Sequence, residues 1–211
     1  MFEIEYKGGN TVVITSKKAT LVTDPKQSLV GLKDSVVKGA IEVATEPRFA
    51  IDSEGARLSI EGPGEYETAD FSVRGILAQR HLDTETDEPI ATIYRIEVGE
   101  ARIALIGNVS EKLSEDQLEA LGVVDIAIIP VGGGGYTLDA TSAASMIRQI
   151  DPKVVIPIHY ADKALKYEVP QDELSTFVGE LSAPIETVPK YKVKSAAAIP
   201  AVLTVVEIAR S

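Results

Sequence analysis

The run Val154 to Ile158 is uniformly apolar, and it limits the chain more than any other feature. A strand with no polar face has to be buried on both sides. Ahead of it Ala143, Met146, Ile147 and Ile150 recur at helical spacing behind candidate caps in Thr137 to Ser142, and Val123 to Pro130 supplies a strand before that. These segments predict a strand, helix, strand unit. A further helical stripe, Leu174, Phe177, Val178 and Leu181, follows Pro170, and Ile185 to Val188 and Ala201 to Ile208 predict terminal strands. Ser114-Glu-Asp-Gln117 has capping-box spacing ahead of Leu118 and Leu121, so a short helix is expected there too.

The first half has a different period. Phe2 to Tyr6, Thr11 to Thr15 and Ala19 to Thr23 favour strands and are separated by Gly8-Gly9-Asn10 and Ser16-Lys17-Lys18, which are turn compositions. Strand-like runs continue at Ile41 to Thr45, Arg57 to Ile60, Phe71 to Gly75, Ala91 to Val98 and Ala101 to Ile106, with breaks at Gly62-Pro63-Gly64 and Gly99-Glu100. A meander followed by alternating strands and helices implies two sheets covered by helices, a four-layer α/β sandwich in one domain over residues 1–211.

Composition narrows the function classes. With 21 basic against 32 acidic residues the net charge is −11, and no basic run exceeds two residues, so nucleic acid and membrane surfaces are not expected partners. The absence of cysteine removes disulfides and thiolate metal sites. Met1-Phe-Glu-Ile-Glu-Tyr6 lacks the basic and apolar regions of a signal peptide, and the Ala196 to Ala209 region is too short to span a bilayer, so it is expected to be a buried strand and the protein cytoplasmic.

Seven motifs occur in order: Thr23-Asp-Pro25, Gly62-Pro-Gly-Glu-Tyr-Glu67, Gly75-Ile76 before His81, Leu105-Ile-Gly-Asn108, Ile129-Pro-Val-Gly-Gly133, Gly135-Tyr-Thr-Leu-Asp-Ala140 and Ile156-Pro-Ile-His-Tyr160. Together they resemble the metallo-β-lactamase-like superfamily, and its branch of Zn-dependent hydrolases in particular, over nearly residues 1 to 190. The resemblance implies an αββα sandwich with its active site at one sheet edge. There a His-x-His-x-Asp-His cluster, a further His, a bridging Asp and a final His hold one or two metal ions and leave a position open for water.

Carried over onto this sequence, Glu46 and Arg48 stand at the first two histidine positions, and Ala50 and Ile51 at the Asp and the third His. Asn108 stands at the bridging Asp after Gly107, while His81 and His159 match the remaining histidines. Arg48 is permanently protonated and cannot ligate a metal. An ion pair between Arg48 and Glu46 in the metal volume is therefore one expectation, and a metal-free site is another.

Each candidate carries two readings. His159 is a residual ligand or general base, or a hydrogen-bonded group at a strand end. His81, with Arg80, Asp83 and Glu85 around it, is a ligand or a solvated surface histidine. Glu46, His81 and His159 form a His₂Glu zinc set, or do not converge. Gly133 and Gly134, with Arg48 and the start of the following helix, cradle an anion, or they make a tight connection. Asp24-Pro25 is a support beneath the site or a strand-ending turn.

Two functions follow. In one, the chain is a degenerate, non-catalytic binding or assembly module without a cofactor, taking a small molecule or an anion, and homo-oligomeric by analogy with the family. In the other it is a hydrolase with an altered, mononuclear zinc site, with His81 and His159 as ligands, Glu46 as ligand or base, and Asn108 polarising the substrate.

Overall fold

The computed structural model of the chain describes residues 1–51, 53–84 and 87–211; Glu85, placed beside His81 on sequence grounds, lies outside them. In chain order the strands are β1 (Phe2–Gly8), β2 (Thr11–Ser16), β3 (Thr20–Thr23), β4 (Ile41–Val43), β5 (Leu58–Ile60), β6 (Gly64–Thr68), β7 (Phe71–Ala78), β8 (Ala91–Val98) and β9 (Ala101–Leu105). Helix α1 (Glu115–Leu121), β10 (Ile126–Pro130), α2 (Ala140–Ile150), β11 (Val154–Ile158), α3 (Leu174–Leu181), β12 (Ile185–Val188), β13 (Tyr191–Val193) and β14 (Thr204–Ile208) complete the order.

The strands form a six-stranded sheet, β13-β1-β2-β3-β4-β5, and an eight-stranded one, β12-β14-β11-β10-β9-β8-β7-β6. Both are mixed. In the first, β1, β2, β3 and β13 pair antiparallel and β3, β4 and β5 parallel. In the second, the meander β6 to β9 is antiparallel, whereas β9, β10, β11, β14 and β12 run parallel. The change falls at β9, where the sequence changes period.

Alternation along each strand decides which layer a side chain joins. Ile4, Ile14, Leu21, Ile41 and Val43 from the first sheet meet Val73, Tyr94, Ile96, Ile103, Ile128 and Ile156 from the second in one core between the sheets. The opposite face of the larger sheet, with Ile93, Ala104, Ala127, Ile129 and Val155, packs against Leu121 of α1, Met146 and Ile147 of α2 and Phe177 of α3. A buried aliphatic or aromatic side chain of this size contributes ~1.5–3 kcal/mol.

The expected α/β sandwich of two mixed sheets is present, with unequal outer layers. Among the described residues every α-helix lies on the larger sheet, while the outer face of the smaller sheet packs only Val13, Val22 and Ala40 under Val37 of an irregular segment. Several boundaries differ from expectation, two of them near β10 and at the C-terminal strand. Val123 is 62% exposed in the approach to β10, and the C-terminal strand is confined to Thr204–Ile208 after a 3-10 turn at Ala196–Ala198. No helix of the described residues is long and apolar enough to cross a membrane.

Candidate functional site

The parallel strands β3, β4, β9, β10 and β11 end at one edge of the sandwich, so their following loops share that edge. Ligand crevices of α/β sheets form at the carboxyl ends of strands. Asp24, Glu46, Asn108, Gly132 to Gly135 and His159 all sit just past such ends.

Asp24 organises the first part of this edge. It is buried, with φ 42, and its carboxylate accepts from the Thr45 amide at 2.6 Å and the Thr45 hydroxyl at 2.7 Å. Burial raises its pKa to about 7, against the lowering effect of the two Thr45 bonds. The loop after β4 is also fixed from the other sheet: Tyr94 donates its hydroxyl to Ala44 O at 2.9 Å, and the Thr92 amide donates to Thr45 O at 2.8 Å. Gly107, with φ 69, lies where a Cβ would come within 2.8 Å of Thr45 Cβ. That contact explains the glycine before Asn108.

Glu46 and Asn108 meet on this platform. The Asn108 amide Nδ2 donates to Glu46 Oε1 at 3.4 Å, and both side chains are buried. Burial raises the Glu46 pKa, while Arg48, Asn108 and Arg80 pull the other way. His81 hangs beside them through its backbone, its amide donating to Asn108 O at 3.0 Å. Its side chain is half-buried, and among the described residues its Nδ1 is enclosed without a hydrogen-bond partner, as is Asn108 Oδ1. His81 thus lies between the two readings, neither fully solvated nor fully buried, in a short loop after β7 that the Arg80–Asp83 ion pair holds.

His159 occupies a separate compartment. It follows β11 with φ 51, a left-handed conformation uncommon for a non-glycine residue, and its amide donates to Gly9 O at 3.0 Å and Tyr6 Oη at 3.2 Å. Nδ1 lies 2.6 Å from Asn10 Oδ1. With that oxygen as acceptor Nδ1 carries the proton, and Nε2 keeps its lone pair. Burial, with a smaller effect from the Arg48 charge, lowers the pKa to about 4, so the ring is neutral near pH 7. The Tyr136 ring stacks on it at 5.8 Å, and Tyr167 is tilted against it at 5.0 Å.

Arg48 stands over this compartment. Its guanidinium lies 5.2 Å from the ring centroids of both Phe49 and Tyr136, and it pairs with Glu168 at 3.0 Å. The expected Arg48–Glu46 pair does not form, because Arg48 points to the segment after β11 while Glu46 is taken by Asn108. The rings, with Leu29 and Val30, bound a narrow cleft of about 20 Å³ that is open to solvent.

The glycine loop serves as a connection. Gly133 donates its amide to Leu138 O, and a Cβ on Gly134 would lie 2.4 Å from Pro170 O. Asp139 caps α2 by accepting from the Ser142 amide at 2.7 Å, which places a carboxylate at that helix start. Neither Gly133 nor Gly134 lines the Arg48 cleft, so an anion cradle of Arg48, Gly133 and Gly134 is not assembled.

The donor set does not fit zinc. Among the described residues no three His, Asp or Glu side chains are close enough to share an ion, and Glu46, His81 and His159 do not converge. Ala50 and Ile51 turn away, lining a second cleft beneath Glu42. Sequence reasoning missed Asn10, Tyr167 and Glu168 as partners of the site. Asn10 carried only a turn signal, and no local pattern marks the partner of Arg48 at position 168.

The fold recurs in solved structures. A proposed Zn-dependent hydrolase of the metallo-beta-lactamase superfamily from Thermotoga maritima superposes with a TM-score of 0.76 at 20% identity, covering 99% of this chain and 100% of its own. Igni18, a metallo hydrolase from the archaeon Ignicoccus hospitalis, gives 0.64 at 15% identity, over 98% and 95% of the two chains. A proposed metal-dependent hydrolase from Parabacteroides distasonis gives 0.61 at 16%, over 97% and 92%. The sequence model of the beta-lactamase superfamily domain matches residues 3–159, most of the chain. With the sandwich, the strand-end loops and that match in agreement, the chain belongs to the beta-lactamase superfamily domain family.

Proposed function

We propose that this chain is a metal-free binding module on the β-lactamase-superfamily fold, and that its ligand enters the cleft over His159. The observation that carries this reading is the setting of Arg48. At a position where the family places a metal-binding histidine, it supplies a fixed positive charge beside two aromatic rings, near enough to hold down the His159 pKa. A second cation there would meet that charge, and the Glu168 carboxylate beside it is already taken by Arg48.

The cleft's chemistry favours an uncharged planar molecule over an anion. Arg48 is already paired with Glu168, the walls are largely Leu29, Val30, Phe49, Tyr136, Tyr167 and Val169, and the acceptors offered are His159 Nε2 and the amide oxygen of Gln171. A ring bearing one hydrogen-bond donor matches that lining, and its entry requires Tyr136 and Tyr167 to part, because the cleft itself holds only about 20 Å³. The test is titration of phenol or indole followed by NMR of the His159 and tyrosine rings. Saturable shifts that disappear in Tyr136→Ala are expected, and unchanged spectra at millimolar ligand contradict the reading.

One observation favours the second reading, a hydrolase with an altered site. Among the described residues Asn108 Oδ1 and His81 Nδ1 are enclosed without partners, and Asn108 bonds a Glu46 carboxyl of raised pKa that suits a general base. The solved structures named as metal-dependent hydrolases share the fold. Metal-stimulated ester or amide hydrolysis abolished by Glu46→Gln is the result that would favour it.

A further inference from the structure

Two hydroxyl clamps hold the turn between β1 and β2 against the end of β3. Thr11 donates its hydroxyl to Asp24 O at 2.6 Å, and Thr23 donates its hydroxyl to Asn10 O at 3.2 Å. Asn10 and Asp24 are thereby fixed side by side, and both are buried. The Asn10 carboxamide lies between Asp24 and His159. Its Oδ1 is 2.6 Å from His159 Nδ1. Its Nδ2 closes no full hydrogen bond among the described residues, yet the side chain is near enough to Asp24 to favour the charged carboxylate.

The two ends of a carboxamide have nearly the same shape and opposite hydrogen-bonding character, so packing alone does not decide which end meets the imidazole. Charge does. The Asp24 oxygens are held in place by the Thr45 amide and hydroxyl, and an ionised carboxylate offers Asn10 only acceptors. Turned around, Asn10 would set Oδ1 against that carboxylate and Nδ2 against His159 Nδ1, and the imidazole proton would have to sit on Nε2. We propose that Asp24 and Asn10 are positioning residues for the cleft: the aspartate fixes which end of Asn10 faces His159, so Nε2 is presented as an acceptor and ligands that donate a hydrogen bond are selected. The selection of ligands rests on the reading of the cleft as a binding site; the orientation of the ring does not.

The test separates the two. The chain has two histidines, so long-range proton–nitrogen NMR of the whole protein resolves both rings, with His81→Ala to assign them. Spectra are recorded at about pH 8, where Asp24 is ionised and His159 neutral, for wild type, Asn10→Leu, Asn10→Asp and Asp24→Asn. The expected wild-type pattern is a protonated Nδ1 and an unprotonated Nε2. Asn10→Leu and Asp24→Asn are expected to populate the form protonated at Nε2, whereas Asn10→Asp keeps an acceptor toward Nδ1 and keeps the wild-type pattern. Lost packing alone lowers stability without moving a proton between ring nitrogens. Titration of indole and N-methylindole then reads the selection: wild type is expected to prefer indole by roughly tenfold, one hydrogen bond's worth, and Asn10→Leu to lose the preference. Should Asn10→Leu fail to fold, Asp24→Asn carries the same comparison. A wild-type ring protonated at Nε2 overturns the proposal, as does an unchanged pattern in Asn10→Leu or Asp24→Asn. The expected ring patterns without indole binding would support the positioning roles and contradict the cleft as a binding site.

Discussion

His159 and Asp24 are both buried, and burial moves each toward its neutral form, His159 down to about 4 and Asp24 up to about 7. Their linkage to stability has opposite sign. The histidine's contribution is present above its ordinary value of 6.5 and is lost as pH falls toward 4. The aspartate's is fully present below its ordinary value of 3.8 and is lost as pH rises through 7. In wild type the two trends oppose each other between pH 4 and 6.5. Asp24→Asn removes one of them, and urea unfolding of that variant is expected to show a loss on the order of 3 kcal/mol from pH 7 to pH 4, steeper than wild type. Parallel profiles would place the Asp24 pKa elsewhere. The His159 ring protons should titrate with a midpoint near 4 by NMR, and a midpoint near 6.5 would mean the ring is solvated. At this scale the sequence shows which residues are unusual but not what they touch. His159 is legible as a strand-end histidine, whereas Asn10 becomes its partner only through a contact spanning 149 positions.

Elements with strong local chemistry are legible in advance. The capping box of α1 forms in both halves, Ser114 Oγ accepting from the Gln117 amide and Gln117 Oε1 from the Ser114 amide, as its spacing implies. Ser114→Ala should cost ~1 kcal/mol in thermal or denaturant unfolding. The alternation in β1, the buried runs of β10 and β11 and the helical stripes of α2 and α3 are equally direct. Two edge strands are not. β6 has a largely exposed side-chain row, and β13 has three residues that become a strand only by pairing with β1. β7 runs on through Gly75 to Ala78, because a single glycine does not end a strand whose pairing with β8 continues past it. After β10 the backbone carries the tightest contact with the site. A Cβ on Gly132 would fall 2.2 Å from His159 O. Gly132→Ala is therefore expected to destabilise by roughly 3 kcal/mol and to displace the His159 ring signals. A variant with wild-type stability and spectrum would show that the loop yields freely.

Across the whole molecule, the change from meander to alternating strands and helices translates into two mixed sheets, with every described α-helix on the larger one. That much follows from periodicity. The site is harder to read because it is assembled from loops far apart in the chain: Arg48 reaches Glu168, Glu46 reaches Asn108, and Asn10 reaches His159. Resemblance supplies the positions to inspect, and the geometry shows two compartments where a dinuclear centre would need one. The most direct measurement is metal content of untagged protein after growth with added zinc, manganese and iron, compared with Glu46→Ala, His81→Ala and His159→Ala. The account predicts substoichiometric metal that is the same in all four proteins. Near-stoichiometric metal that falls in each variant would contradict it, because it would require Glu46, His81 and His159 to converge on one ion.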